Sequence, residues 1–347
     1  MATLAIGRKK NHITQGKGVI IMKKAVKIIS IVLCLVLALS LTACGSSGGE
    51  KKIKTIGINQ YGEHGSLDNC RIGFLQGLEE AGLKEGTDFK VDYQNAQFDD
   101  NINTQIAASF AANNVDLMCG IATPSAIACF SAAEDKDIPV IFSAISDPAG
   151  AGLDSGNITG TSDKLPVEAQ LDLIRQLQPE AKTIGIIYTT SELNSVSTIA
   201  EYQAKAGDYG FTIDAIGVTA QAEVTQAVDT LLSRKVDLLN NLTDNNVVGV
   251  LPAILEKTNE AGVPVYGSEV EQVKLGCVAA AGIDYIQLGR QTGAMAARVL
   301  KGEAKCADMP FETISEYGIY VNSAALAEMG ITLPAAVAEK AVESSES

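Results

Sequence analysis

The sequence contains no tryptophan, and only two of its 347 residues are histidine. Without indole rings, a sugar site built on Trp stacking has no material. Of the two histidines only His64 lies beyond the basic, apolar N-terminus, so a histidine-dependent triad would have to use it. No Ser or Cys stands in a nucleophile-elbow context. There is no His-Glu-x-x-His, no paired Cys-x-x-Cys and no P-loop, so neither a metal nor a cofactor is expected. The stretch GAGLDSG (150–156) fails the dinucleotide-binding spacing, opens no helix and reads as a loop. The apolar run 28–41 falls short of the ~20 residues a spanning helix needs.

That run fits another role. Residues 22–44 read as a basic head (Lys23, Lys24, Lys27), an apolar core and Leu41-Thr42-Ala43-Cys44. This is the layout of a secretory signal. Its end resembles the bacterial lipobox, after which the cysteine becomes a lipid-bearing N-terminus; the alternative is an ordinary secretory signal. Gly45-Ser46-Ser47-Gly48-Gly49 suits a flexible tether and favours lipidation at Cys44. Residues 1–21 precede a complete signal and stand outside the fold argument.

Residues 1–43 hold seven Lys and Arg and no acid, so their removal leaves 20 basic against 41 acidic residues, net −21. Such a surface repels phosphate backbones and anionic lipid, which argues against nucleic-acid binding and leaves anchoring to the lipid. Five cysteines follow Cys44, an odd number, and no pairing can be assigned. About 300 residues remain, enough for two domains.

Short β-branched runs alternate with amphipathic stretches, the pattern of βαβ units and a parallel sheet. Strands are expected at 53–58, 89–93, 115–121 and 139–142, with helices at 67–81, 101–112 and 125–133. The second half repeats the programme, with strands at 183–188, 211–216, 236–239 and 264–266 and helices at 196–206, 222–232 and 247–261. The string KTIGI occurs at both 54–58 and 182–186. Val115-Asp116-Leu117 matches Val236-Asp237-Leu238, Thr123 matches Thr243, and Ile138-Pro139-Val140 matches Val263-Pro264-Val265. A serine stands four residues after each proline, Ser143 and Ser268. The ordered matches indicate a duplicated doubly wound lobe.

Ligands of such sheets bind outside the carboxyl ends of the strands, so two facing lobes make one cleft. The residues after each strand become candidates: Gln60, Tyr61 and His64, then Thr123-Pro124-Ser125 and Ser143 from the first lobe. From the second come Asn194 and Ser195, Thr243-Asp244-Asn245, and Ser268 with Glu269. Most are polar and uncharged, which suits a small ligand held by hydrogen bonds.

At these strand ends the chain resembles the type I substrate-binding lipoproteins of bacterial ABC importers, and more narrowly the subfamily that binds tryptophan or tyrosine. The carrying segments are GEHGSLD (62–68), YQNAQ (93–97), IATPSA (121–126), FSAISDPAGAGL (142–153), NITGTSD (157–163), SELNSVS (191–197), TDN (243–245) and GIDYIQLGRQTG (282–293). The likeness covers roughly 53–331, with Gly65 and Leu239-Asn240-Asn241-Leu242 departing from the family pattern. It implies α/β lobes of the type I periplasmic-binding-protein fold joined by a three-segment hinge. The crossings are expected near 159–162, near 278–282 and after Gly302. The first lobe would then hold 53–160 and 280–302, the second 161–279 and 303–333, with a flexible tail at 334–347.

The resemblance also implies an extracytoplasmic, lipid-anchored monomer that captures an aromatic amino acid and hands it to an ABC permease with its ATPase subunits. A carboxylate wants helix N-termini and hydroxyls, as offered by Thr123-Pro124-Ser125 and Asn194-Ser195; the alternative is that these residues cap their own helices. An ammonium wants a carboxylate, and Asp284 and Asp244 are the leading candidates. Asp147 reads better as a turn before Pro148, and Asp284 could instead cap the helix 285–300. A ligand ring would meet Tyr61 and Tyr285, with Leu67 beneath, whereas Phe142 reads as core. Two other readings stay open. One is an amino-acid-processing enzyme on this fold, using Cys119 or Cys277 with Asp244. The other is a surface recognition or adhesion lipoprotein.

Overall fold

Runs of Ile, Val and Thr become the strands of two largely parallel sheets, and the amphipathic segments between them become the covering helices. The structure, a computed structural model, describes residues 52–314 and 316–344. The expected signal peptide, Cys44 and nearly all of the tether lie outside those residues.

The first lobe opens with β1 (Lys54–Gln60), α1 (Gly65–Glu80), β2 (Phe89–Asn95), α2 (Asp100–Ala112), β3 (Leu117–Ile121), α3 (Thr123–Ala133), β4 (Val140–Ser143) and β5 (Ile158–Ser162). The second takes α4 (Val167–Leu177), β6 (Thr183–Thr189), α5 (Leu193–Lys205), β7 (Thr212–Val218), α6 (Val224–Ser233), β8 (Leu238–Asn240), α7 (Asn245–Val248), α8 (Leu251–Ala261), β9 (Val265–Glu269), α9 (Val270–Leu275) and β10 (Ala279–Ile283). Then α10 (Tyr285–Leu300) and β11 (Glu312–Thr313) return to the first lobe. Finally β12 (Gly318–Val321), α11 (Ser323–Glu328), α12 (Ala335–Ala338) and β13 (Ala341–Glu343) complete the second.

The sheet orders are β2-β1-β3-β4-β5-β11 and β7-β6-β8-β9-β10-β12-β13, so the five founding strands of each lobe share one order. The duplication extends to single hydrogen bonds. Asp116 Oδ2 accepts from Thr55 N at 2.8 Å, and Asp237 Oδ2 accepts from Thr183 N at 2.7 Å. The two threonines occupy the same place in the two KTIGI strings, and the two aspartates the same place in the Val-Asp-Leu repeats. Each aspartate pins the start of its lobe's first strand. The strings themselves are core: Ile56, Ile58, Ile184 and Ile186 are fully buried.

The chain crosses between lobes three times: between Ser162 and Val167, at Ile283–Asp284, and between Thr313 and Gly318. Several expected bounds therefore move. Residues 280–283 belong to β10 in the second sheet, and 312–313 lie in the first, because β11 adds to β5 before the last crossing. The expected tail 334–347 contains α12 and β13, the latter paired in parallel to β12. The expected helix 247–261 is two helices, separated at Gly249 and Val250.

What returns the chain to the first lobe is the packing of α10 on α1. Gly73 and Gly77 on α1 face Gly289 and Gly293 on α10. A Cβ added at Gly73 would lie 2.1 Å from Ile286 O, and one at Gly289 would lie 2.3 Å from Cys70 O. The obstacles are backbone atoms, which cannot swing aside. Alanine would raise helix propensity by ~1 kcal/mol, but overpacking against a fixed backbone costs about 1–3 kcal/mol. Gly289→Ala is therefore expected to lower stability in urea unfolding, where propensity alone would raise it.

Candidate functional site

The carboxyl ends of the strands of both lobes meet at a narrow, nearly closed cavity of about 10 Å³. His64, Ser66, Leu67, Ala122, Ala144, Ser146 and Tyr285 line it from the first lobe, and Asp163 from the first crossing. Asn194, Thr243, Asn245, Val248 and Gln272 line it from the second. The lobes touch around it. His64 Nε2 donates to Asn245 Oδ1 at 3.4 Å, and Asn69 Nδ2 donates to Glu271 Oε1 at 2.8 Å. Phe98, stacked on His64, reaches the second lobe at Gly249, where an added Cβ would meet its ring at 3.3 Å.

The backbone is strained where it faces the cavity. Ala122, at the N-terminus of α3, has φ +76° and ψ 155°, and Ala144, just after β4, has φ +62°. A non-glycine residue in such regions costs ~1–3 kcal/mol, and strain of this kind gathers at ligand sites.

Asp163 is the carboxylate of the cavity. It is 2% exposed; Ser146 Oγ donates to Oδ1 at 2.9 Å and Tyr285 OH donates to Oδ2 at 2.6 Å. Burial raises its pKa while those two bonds oppose the shift. Its own backbone N–H also bonds the carboxylate, and none of the ion pairs among the described residues involves it. Neither Lys nor Arg lines the cavity.

The wall on the second lobe is organised by Glu192, which is 2% exposed. Its Oε2 accepts from Asn245 N and Nδ2 at 3.1 and 2.6 Å and from Asn194 Nδ2 at 3.2 Å; its Oε1 accepts from Asn246 N and Nδ2 at 3.2 and 3.0 Å. Burial, with nearby Asp244 adding to it, pushes its carboxyl well up. Asp244 is saturated by Thr189 N, Thr189 Oγ1, Ser195 Oγ and Val247 N. Glu269 caps α9 through Glu271 N and Gln272 N and also meets Ser66 of the first lobe; burial pushes its carboxyl to about 7.

Of the residues expected to contact ligand, His64, Leu67, Asn194, Thr243, Asn245 and Tyr285 line the cavity. Tyr61, Thr123 and Pro124 line a separate groove beside it, with Asp100, Ser191 and Leu193, and Tyr61 OH donates to Asp100. The others are turned inward. Gln60 bonds Gly62 O and Asp68, Ser125 bonds Asn103, Ser143 bonds Thr292, and Ser268 bonds Asn241 O. Ser195 and Asp244 bond each other, and Glu269 is spent on its cap.

Both leading ammonium candidates require correction. Asp284 accepts from Ile286 N and Gln287 N as the cap of α10 and lines an outer groove on the hinge side with Glu80, Arg290 and Tyr317. Asp244 has no acceptor capacity to spare. Asp147 serves its own turn through Gly150 N. Phe142 is core. The five cysteines of the described residues are all buried and unpaired. Asp163, Ser66, Ser146, Gln272 and Val248 were not expected. Asp163 ends the segment NITGTSD, and a lone acid at a lobe crossing was the available signal.

Two lobes meeting over a buried carboxylate form the cleft of a solute-binding fold. The chain belongs to the family described as ABC transporter substrate binding protein, which it matches over residues 55–345. It is 39% identical over 319 residues to a tyrosine-binding protein of Clostridioides difficile (strain R20291), covering 87% of this chain and 91% of that one. A Streptococcus pneumoniae structure in complex with L-Trp superposes with TM-score 0.81 at 36% identity, covering 84% of this chain and 99% of that one. A ligand-free, open structure of a substrate-binding protein with adhesive properties from Clostridium difficile gives TM-score 0.63 at 38% identity, covering 84% and 100%. The lower score against the open form accords with the inter-lobe contacts here. The fold is that of type I periplasmic binding proteins, the protein is an extracytoplasmic solute receptor of an ABC transporter and not an enzyme, and no described helix is long and apolar enough to cross a membrane.

The buried acids give the apo protein a pH dependence. Glu269 is raised, so its stabilising contribution is complete below its ordinary pKa and is lost as pH rises through about 7. Glu192 and Asp163 are shifted in the same direction. His64, lowered to about 4 by burial, contributes above its ordinary value and loses that contribution as pH falls through about 4. The two effects oppose each other at acidic pH, and the acids act alone above 6.5. Between pH 4.5 and about 7 the melting temperature of the wild type is expected to fall relative to that of Glu269→Gln, levelling off above; a difference that stays constant across that window would contradict the assignment.

Proposed function

We propose that the protein captures a free aromatic amino acid between its lobes. The observation that carries this reading is Asp163, an ionisable carboxyl buried in the cavity with a spare lone pair and no protein cation. A buried charge needs a partner, and an ammonium supplies one. The ligand carboxylate would meet the first turn of α3 at the strained Ala122. Its ring would lie among Leu67, His64, Val248 and Tyr285. The pocket is narrow and walled by both lobes, which suits a single small solute better than a peptide. The ligands named for the relatives, tyrosine and L-Trp, support the aromatic class. We further propose that Cys44 carries a lipid, so that the receptor works tethered to the outer face of the cytoplasmic membrane and delivers its ligand, as a monomer, to a permease with its ATPase subunits.

Thermal shift against the twenty amino acids tests the reading. At a hundredfold excess over Kd, a ligand adds about 2.7 kcal/mol of stability. Tyrosine or tryptophan is expected to give such a shift. Asp163→Asn should weaken it by about 10- to 100-fold in Kd, the scale of a charge-assisted hydrogen bond, and Asp284→Asn should leave it unchanged. If no amino acid raises the melting temperature, the reading is wrong.

A further inference from the structure

The cavity contains two buried hydrogen-bond acceptors that no protein donor reaches, Asn194 Oδ1 and His64 Nδ1. Chemistry fixes both as acceptors. The Nδ2 of Asn194 faces Glu192 Oε2 at 3.2 Å, Ser195 Oγ at 3.3 Å and Thr243 O at 3.3 Å. A carboxylate and a carbonyl can only accept, so the amide nitrogen belongs on that side and the oxygen is left at the cavity. The same logic sets His64. Asn245 turns its Nδ2 to Glu192 at 2.6 Å, which leaves Asn245 Oδ1 for His64 Nε2. The imidazole proton therefore sits on Nε2, and Nδ1 carries a lone pair.

An aromatic ring alone would leave these lone pairs buried and unpaired. Asn194 is 5% exposed, and a residue so enclosed cannot turn to water. We infer that Asn194, held in place by Glu192, is the specificity-determining residue that reads a hydrogen-bond donor on the ligand ring, so that the receptor prefers tyrosine and tryptophan to phenylalanine. The phenol O–H and the indole N–H are such donors, and phenylalanine has none. Glu192 acts as a positioning residue: it touches no ligand but fixes which face of the Asn194 amide the ligand meets. The inference rests on the aromatic amino acid reading above and names what selects within that class. A site built to pair a ligand donor discriminates strongly against the analogue lacking it, because the protein group is then left bare.

Calorimetric titration with L-tyrosine, L-tryptophan and L-phenylalanine tests it. The wild-type protein is expected to bind tyrosine and tryptophan at least about tenfold more tightly than phenylalanine. Asn194→Leu, close in size and without the acceptor, should bring the ratio toward one by weakening tyrosine and tryptophan while sparing phenylalanine. Glu192→Gln should lower the ratio in the same sense by freeing the amide to turn, whereas a merely structural role would weaken all three ligands alike. The wild-type ratio needs no variant and keeps the inference falsifiable if a substitution unfolds the chain. Equal wild-type affinities would overturn this inference alone. Survival of the ratio in Asn194→Leu, or its loss only in His64→Leu, would overturn the assignment to Asn194. If none of the three binds, the functional reading and this inference fall together.

Discussion

The contact between α1 and α10 is the constraint on which the rest depends. Four glycines let two helices approach until backbone meets backbone. That contact brings the chain back from the second lobe after β10. It places Tyr285, the first residue of α10, against Asp163 in the first crossing. The floor of the cavity is thus made from two of the three crossings, so the groups that would bind the ligand's charged end sit close to the hinge. A ligand held there would touch the segments about which the lobes must turn and would bridge to Asn194 and Thr243 on the far wall.

Closure has an electrostatic character. Asp163, Glu192, Asp244 and Glu269 are all nearly or fully buried around the cleft, and none has a cationic partner among the described ion pairs. Amides, hydroxyls and backbone N–H groups satisfy most of their lone pairs, but hydrogen bonds do not cancel charge. Desolvating these carboxyls disfavours the closed, empty protein. Under the proposed reading, an ammonium arriving at Asp163 would relieve that cost only in the closed form, and such a differential affinity would let the ligand shift the lobes. Local details serve the same end: Phe98 reaches across to Gly249, and Asn69 bonds Glu271.

The architecture was legible in the sequence because it is written twice. The KTIGI strings and the Val-Asp-Leu aspartates recur in order, and the structure gives each copy the same hydrogen bond. The site was legible in part, because strand ends in a doubly wound sheet point to one place. Asn194, Thr243 and Asn245 follow from that rule. It failed where two carboxylates in good cap contexts look alike. Asp244 and Asp284 both begin helices, and both spend their oxygens on capping. Asp163 begins nothing; its importance depends on where the first crossing lies relative to the cavity, which is tertiary information. Ala122 and Ala144 were invisible for a different reason, since alanine carries no signal of positive φ. Gln272 and Val248 come from short helices whose directions local pattern does not specify.

The central claim is that Asp163 holds the ammonium of an aromatic amino acid enclosed by both lobes. The most direct measurement is a crystal structure of the protein grown with L-tyrosine. The account predicts the ligand nitrogen about 3 Å from the Asp163 carboxylate, with the ring between Leu67 and Val248 and the lobes closed. Tyrosine with its nitrogen on another acid, or bound outside this cavity, would contradict it.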